Sequence, residues 1–531
     1  MKVTHKITLI ALLWLIFINP GGITNPDTIR RGHMAHAWLT QTEEAIPQDE
    51  IVIHVNNRNY IPYDLGQSML MLPGDWLGSK LSQSFNLTDE YESEQLRGAV
   101  ISFAIFLPIN LLVVLTSFKL LVNFGYSEKL AGLSSIVLLL GTTVLFYASY
   151  HQQNNQILFC VLASYQTALA YVMQRKRRLA IASGMALGIA FFIRITSILY
   201  VISVLTFLIG CLSNIKANKA KLPINSLKST FFWMTGFVPF VLLERILTYY
   251  RYGSWTATST SLHIQIYQKA SNFLPDPNVI VQGDNSSFSF LKMLTKVKLE
   301  GLLAPLISPE KSVFLYDPLV LPCLILGFLC WRFLSSYIKW YLIAGIIGFI
   351  LHLYIYSWNV DWIEHMAWGA RYHITSVHLL LVPLIPLIVR GAIRQFNNST
   401  DTLKIVFSWL SKIIIILAIF CQLASISLYP SLEKFQQESN IGSEFRIVQR
   451  LNNIFYLIDN KARPQIQYTK AQKQLLKFFL EERITWNILP FRYQIILQDN
   501  PPLNRFLPLL GIIWGLIFIS ATVSTIWIFV R

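Results

Sequence analysis

Charge is scarce in this chain: Asp, Glu, Lys and Arg make up 14% of its 531 residues, while 53% are hydrophobic. A soluble fold of this length needs far more charge to cover its surface, so a soluble class is excluded. Acids are the scarcer sign, 28 against 44 Lys and Arg, which leaves a net charge of +16. That excess does not point to nucleic acid, because the basic residues lie in connections between apolar runs, as the cytoplasmic side of a membrane protein requires. Cysteine is nearly absent. Cys160, Cys211, Cys323, Cys330 and Cys421 all lie in or at the ends of apolar runs, without metal-like spacing to histidine. They read as small packing residues and imply no disulfide framework. Internal repeats, low-complexity tracts and a soluble N-terminal domain are also missing.

What is present is a succession of apolar runs, each long enough to cross a hydrocarbon core of about 30 Å. They predict an all-α polytopic membrane protein of about twelve transmembrane helices. The runs are roughly 7–19, 98–123, 128–148, 155–173, 179–194, 196–213, 230–249, 319–335, 340–357, 373–389, 404–427 and 507–530. Basic clusters such as Arg175 to Arg178, Lys216 to Lys228 and Arg390 with Arg394 then fall on one side, the cytoplasm. Arg194 breaks the long apolar stretch 179–213. An arginine at that depth faces a polar cavity or snorkels to the headgroups.

The other face carries the long connections 20–97, 250–318 and 428–506, and a short one, 358–372. Function concentrates in such segments, since the spans are occupied with packing. Residues 428–506 read as a small, partly helical external segment, with Gln472 to Ile484 amphipathic. Asp27 stands just past the first run with the basic pair Arg30 and Arg31, an arrangement that suggests chemistry at the lipid–water boundary. It is the leading general-base candidate, and the same position also suits a helix cap. Asp49 and Glu50 are competing acids in a more polar stretch. Residues 60–74 suit a segment dipping back to the bilayer surface, and Tyr147 to Asn155 a short polar external turn with His151 at its centre. Arg251 stands among Tyr249, Tyr250, Tyr252 and Trp255, and Lys311 sits between Pro309 and Pro318 in a stiff segment just before a span. A guanidinium forks phosphate well, but the same pattern fits an interfacial aromatic belt. Residues 358–372 hold Trp358, Trp362, Trp368, Asp361, Glu364, His365, Arg371 and Tyr372. Tryptophan stacks on sugar faces. His365 with Asp361 or Glu364 gives too few ligands for a metal site, so no metal is expected.

In this order, these pieces resemble the GT-C superfamily of polyprenyl-phosphate-sugar-dependent glycosyltransferases. The branch is that of the protein O-mannosyltransferases and the lipid A aminoarabinose transferase. The resembling motifs are Asp27, Tyr63-Asp64-Leu65-Gly66 with Pro73-Gly74, Tyr250 to Ser254, Ser308 to Pro318, and Trp368-Gly369-Ala370-Arg371-Tyr372. They cover roughly residues 1–430. The resemblance implies Asp27 as catalytic base, inversion at the anomeric carbon, and a polyprenyl-phosphate-linked sugar as donor. It implies Arg251, Lys311, Arg371 and Arg194 on the donor phosphate. Tyr63, His151, Trp362, His365, Trp368 and Tyr372 would contact the sugar or the acceptor, itself a lipid, glycan or protein. Family members often carry a second acid after the first, where this chain has Thr28.

The expected organisation is a catalytic transmembrane module over 1–430, the external segment 431–506, and a last span over 507–531. Short cytoplasmic connections suggest a bacterial inner membrane with the site on the periplasmic side. A transporter or lipid flippase, or a non-catalytic assembly protein, would share the multi-span pattern. Long loops on one face and the lack of repeats favour an enzyme.

Overall fold

The computed structural model describes residues 3–42, 46, 53–55, 58–87, 89–214, 222–258, 298–357, 367–393, 402–430, 432–439, 441–459, 485–496 and 505–530. Trp362, His365, Asp361, Glu364, Asp49, Glu50 and the stretch Gln472 to Ile484 lie outside them. Helices dominate. They are α1 (Val3–Phe17), α2 (Pro26–Thr40), α3 (Leu65–Ser84), α4 (Glu90–Ile101), α5 (Leu107–Asn123), α6 (Glu128–Gly141), α7 (Val144–Tyr150), α8 (Asn154–Gln174), α9 (Arg177–Ile193), α10 (Leu199–Asn214) and α11 (Leu222–Tyr252). The second half adds α12 (Leu299–Ile307), α13 (Val313–Tyr316), α14 (Val320–Leu329), α15 (Ser336–Tyr356), α16 (Arg371–Leu381), α17 (Ile385–Ile393) and α18 (Thr402–Ser427). It closes with α19 (Leu432–Glu438), α20 (Arg446–Ile458), α21 (Leu489–Ile496) and α22 (Leu507–Val530). One small antiparallel hairpin, β1 (Ile53–Val55) and β2 (Arg58–Tyr60), pairs Ile53 with Tyr60.

Among the described residues, seven helices are long and apolar enough to cross a membrane, or nine if each bent pair is one span. The chain is thus an integral, multi-pass, predominantly helical membrane protein. Each apolar run read from the sequence falls on a helix or a bent pair. Of these, α1, α9 and α14, at 15, 17 and 10 residues, are shorter than the roughly 20 residues of a straight span. The bends are 59° between α6 and α7 and 56° between α16 and α17. Pro383 lies in the second break, where it has no amide hydrogen to continue the ladder.

The chain forms two compact units. In the first (Met1–Gly21, Leu107–Tyr150 and Lys298–Arg531), α1 packs on α5, α6 and α22. Trp14 Nε1 donates to Thr525 Oγ1 at 3.0 Å, and the Phe17 and Phe518 rings lie 4.8 Å apart. Asp317 is buried and pins the α6–α7 bend: it accepts from the Thr143 amide (2.6 Å) and hydroxyl (2.8 Å). Burial pushes its carboxyl up to about 7.

In the second unit (Gly22–Phe106 and His151–Val297), α9 is sandwiched between α8 and α11. The α9–α11 crossing is close enough to need glycine on both sides. A Cβ on Gly184 would meet the Trp233 carbonyl oxygen at 2.0 Å, and one on Gly236 the Ile181 oxygen at 2.1 Å. Small residues let helix backbones approach where lipid offers no hydrophobic drive. The stretch 60–74, expected to dip irregularly, instead runs into α3, which continues through Pro73. The expected polar turn at 147–155 is confined to three residues between α7 and α8, and all nine side chains from Tyr147 to Asn155 are buried.

Candidate functional site

Asp27 is placed by a helix start. Asn25 caps α2, its Oδ1 accepting from the Thr28 amide (2.8 Å) and hydroxyl (3.0 Å), and Pro26 takes the first helical position. The cap is therefore Asn25. Asp27 stands one residue into the first turn, where the helix dipole favours a carboxylate. Its side chain keeps 23% of its surface open to solvent. The Tyr63 hydroxyl donates to Asp27 Oδ1 at 2.7 Å. Arg30 lies 4.0 Å from the same oxygen and reaches the Tyr63 hydroxyl at 3.5 Å. Arg31 lays its guanidinium 4.2 Å over the Tyr63 ring. Burial first, then the Asp27 charge, raises the Tyr63 phenol above its ordinary range. Tyr63 thus stays a donor.

Arg251, at the end of α11, is buried and holds the Tyr63 segment. Its Nη2 donates to the Ile61 carbonyl (2.9 Å) and its Nη1 to the Tyr63 carbonyl (3.3 Å). Its guanidinium lies 4.6 Å from the Tyr252 ring. The two Nη groups expected on a phosphate are thus engaged by backbone oxygens of the segment that carries Tyr63. His151, with φ of 59°, is buried between the same elements. Its Nε2 lies 2.7 Å from Ser102 Oγ, and its carbonyl accepts from Thr28 (3.2 Å) and Gln67 (3.0 Å). Arg194 is half-buried at the break between α9 and the 3-10 turn Ile195–Ile198.

On the other side of α2 lies a second group of charges. His33 pairs with Glu94 at 2.9 Å, and His36 with Asp75 at 2.8 Å, where Arg97 joins at 3.3 Å. These pairs tie α2 to α3 and α4. A small cleft lined by His33, Asp75, Glu94 and Arg97 opens there. No group of three or more metal-ligating side chains occurs among the described residues.

The first unit holds a basic cluster on the loop before α16. Lys311 Nζ and Arg446 Nη1 both donate to the Ala367 carbonyl, and both side chains are buried. Two bonds to one oxygen keep the nitrogens within about 6 Å of each other. Two charges so placed repel by about 3 kcal/mol at an effective dielectric of about 20. Burial, then Arg446, holds the Lys311 ammonium well below the usual lysine range, and Arg371 pushes the same way. Arg371 is buried at the first position of α16, its guanidinium 5.4 Å from the Tyr372 ring. Tyr372 stacks on Tyr356 at 4.5 Å. Trp368 is buried, edge-on to Tyr316 at 4.9 Å and stacked with Phe146 at 6.4 Å. Behind it, Arg450 pairs through two nitrogens with Glu433 and donates to the carbonyls of Ser425 (2.8 Å) and Leu428 (3.0 Å).

Of the expected residues, Asp27, Tyr63 and Arg251 come together in one unit, and Lys311, Arg371, Trp368 and Tyr372 in the other. The sequence reading set the basic pair Arg30 and Arg31 beside Asp27 without giving either a role, and it missed Arg446. Spacings of three and four from Asp27 put Arg30 and Arg31 on its helix face.

Residues 93–242 match the family model described as dolichyl-phosphate-mannose-protein mannosyltransferase. This match agrees with the resemblance to the GT-C superfamily, while the motifs quoted for it lie outside the matched residues. No curated protein matches the chain. Among solved structures, the chain is similar to the archaeal oligosaccharyltransferase AglB from Archaeoglobus fulgidus, in complex with an inhibitory peptide and a dolichol-phosphate. The identity is 11% and the TM-score 0.42, over 80% of this chain and 56% of that one. ArnT from Cupriavidus metallidurans, bound to undecaprenyl phosphate, gives 12% and 0.44, over 90% and 84%. The apo oligosaccharyltransferase from Archaeoglobus fulgidus gives 10% and 0.43, over 91% and 60%. The chain thus spans little more than half the length of the archaeal proteins.

Proposed function

We propose that this chain is a glycosyltransferase of the GT-C kind, moving a sugar from a polyprenyl-phosphate donor to an acceptor hydroxyl or amine at the non-cytoplasmic face of a membrane. One observation carries the reading. A partly open carboxylate, Asp27, is fixed in the first turn of a capped helix by the Tyr63 hydroxyl, in a chain whose residues 93–242 match a lipid-phosphate-sugar transferase family.

Asp27 takes the acceptor proton as the acceptor attacks the anomeric carbon. The bond from that carbon to the donor phosphate oxygen breaks, configuration inverts, and polyprenyl phosphate leaves with the electron pair. Tyr63 orients the carboxylate, and Arg251 orients Tyr63. The leaving phosphate gains charge as the bond breaks, and fixed cations stabilise it. Trp368, covered by Phe146 and Tyr316, is read as a support for the loop before α16 rather than a sugar platform. The setting is a bacterial inner membrane with the reaction on the periplasmic side, the transferase module running over 1–430.

The test is Asp27→Asn in lipid nanodiscs, assayed with a panel of undecaprenyl-phosphate sugars. Turnover should fall by about 10²–10⁴-fold while undecaprenyl phosphate still binds. Turnover within twofold of the wild type would remove Asp27 from the chemistry.

A further inference from the structure

The segment beyond residue 430 lies outside the sequence resemblance, and its helix α20 has two unlike faces. The polar face is engaged by the protein itself. Arg450 pairs with Glu433 and donates to the carbonyls of Ser425 and Leu428 at the end of α18. Gln449 and Asn453 both donate to Gln436 Oε1, each at 2.8 Å. The other face is apolar and exposed from Phe445 to Ile458, with Val448, Leu451 and Phe455 between them. We propose that this face lies in the bilayer, at the boundary of headgroups and acyl chains on the side where α18 ends, which makes α20 an in-plane membrane helix. This placement is independent of the reaction proposed above.

Three observations select lipid as the occupant. The first is depth. α18 is a membrane-crossing helix whose exposed apolar side chains begin at Leu403. Ser425, where Arg450 is fastened, lies about 33 Å further along its axis, close to the thickness of a hydrocarbon core of about 30 Å. α20 is therefore fixed where α18 leaves the acyl chains. The second is continuity. No residue of α18 after Phe420 is exposed, and α20 packs against α18, so the bilayer-facing surface passes from one helix to the other. The third is a locked roll angle. Turning α20 to hide its apolar face would strand the buried Glu433 carboxylate and the Gln436 amide without their donors. The charge pattern then selects the kind of lipid contact. The exposed residues of α20 are Val448, Leu451, Asn452, Phe455 and Ile458, none of them ionisable, and the exposed residues flanking it include the acids Glu444 and Asp459. Interfacial helices that seek anionic lipid carry Lys and Arg toward the headgroups, whereas both arginines of α20 are turned into the protein. Burial of apolar side chains holds this helix, and anionic headgroups are not required.

The experiment uses the full chain in nanodiscs of phosphatidylcholine, alone or mixed with phosphatidylglycerol. Spin labels are placed at Val448→Cys and Phe455→Cys, and at Ile413→Cys on the exposed face of α18 as the lipid reference. The unsubstituted chain gives the background of the native cysteines. Collisions with oxygen, which concentrates in lipid, are compared with collisions with a water-soluble nickel chelate. Both α20 labels should favour oxygen severalfold, as Ile413→Cys does, and equally in the two lipid mixtures. If neither variant folds, Asn452→Cys decides, since it lies on the same flank and removes no apolar group. A label that favours the nickel chelate puts the face in water and overturns the inference. Exclusion of both reagents also overturns it, because protein then covers the face, either residues 460–484 or a second copy of the chain. An oxygen signature seen only with phosphatidylglycerol would overturn the apolar basis of the contact.

Discussion

Replacing Arg251 separates a strut from a phosphate ligand. Its Nη groups serve the buried carbonyls of Ile61 and Tyr63 at 2.9 and 3.3 Å. Hydrogen bonds to a charged group contribute about 1.5–3 kcal/mol each. Losing both in Arg251→Gln, with partial relaxation, should destabilise this part of the ligand-free protein by about 3 kcal/mol. The segment then no longer fixes the Tyr63 hydroxyl against Asp27, and a displacement of about 1 Å at a catalytic group costs about 10²-fold in rate. The expected result is a lower unfolding temperature without ligand and a kcat reduced about 100-fold. The donor KM should stay within about threefold, because substrate binding is not the interaction removed. Arg251→Lys, with one point donor for two carbonyls, should recover only part of either loss. Unchanged stability together with a donor KM raised more than tenfold would refute the strut and make Arg251 a phosphate ligand.

Two further outcomes follow from the packing and from Lys311. Gly236→Ala puts a methyl 2.1 Å from the Ile181 carbonyl oxygen, so α9 and α11 must separate; expression in folded form, read by size-exclusion chromatography, should drop sharply, whereas Gly511→Ala, in open space on α22, should be silent. The folded-state Lys311 ammonium titrates below its unfolded value, so the unfolded chain binds more protons in the window between the two. Stability should therefore rise as pH climbs through that window toward about 10.4, and Lys311→Met should lack this component in chemical unfolding at stepped pH. Arg446 and Arg371 press on Lys311 in one direction and Glu310 and Glu433 in the other, so these four must be intact for the comparison.

The spans were legible because length and hydropathy are local properties, and the bilayer sets the length. Asp27 was legible from its place just past the first apolar run. Its cap was not, since Asn25 and Asp27 are both good cap residues and only the backbone distinguishes them. The helix through Pro73 was hidden because Pro-Gly reads as a break, while packing against α4 overrides that local preference. Arg251 read as a phosphate ligand because its partners, Ile61 and Tyr63, lie about 190 residues upstream and are backbone atoms, which leave no trace in side-chain spacing. Arg446 was invisible for a related reason. One arginine on an amphipathic helix looks like any solvated charge until the fold shows that it points inward.

The helix that carries Arg446 is inside-out by the standards of a soluble protein. Arg446, Gln449, Arg450 and Asn453 are buried, while Phe445, Val448, Leu451, Phe455 and Ile458 lie open. Water would punish such a surface and acyl chains would reward it. Solubilisation is therefore a perturbation in its own right for this protein. A micelle that leaves that greasy flank bare loosens the seat of Arg446 without altering a single residue, so the same preparation should score differently in a bilayer disc and in a harsh short-chain detergent.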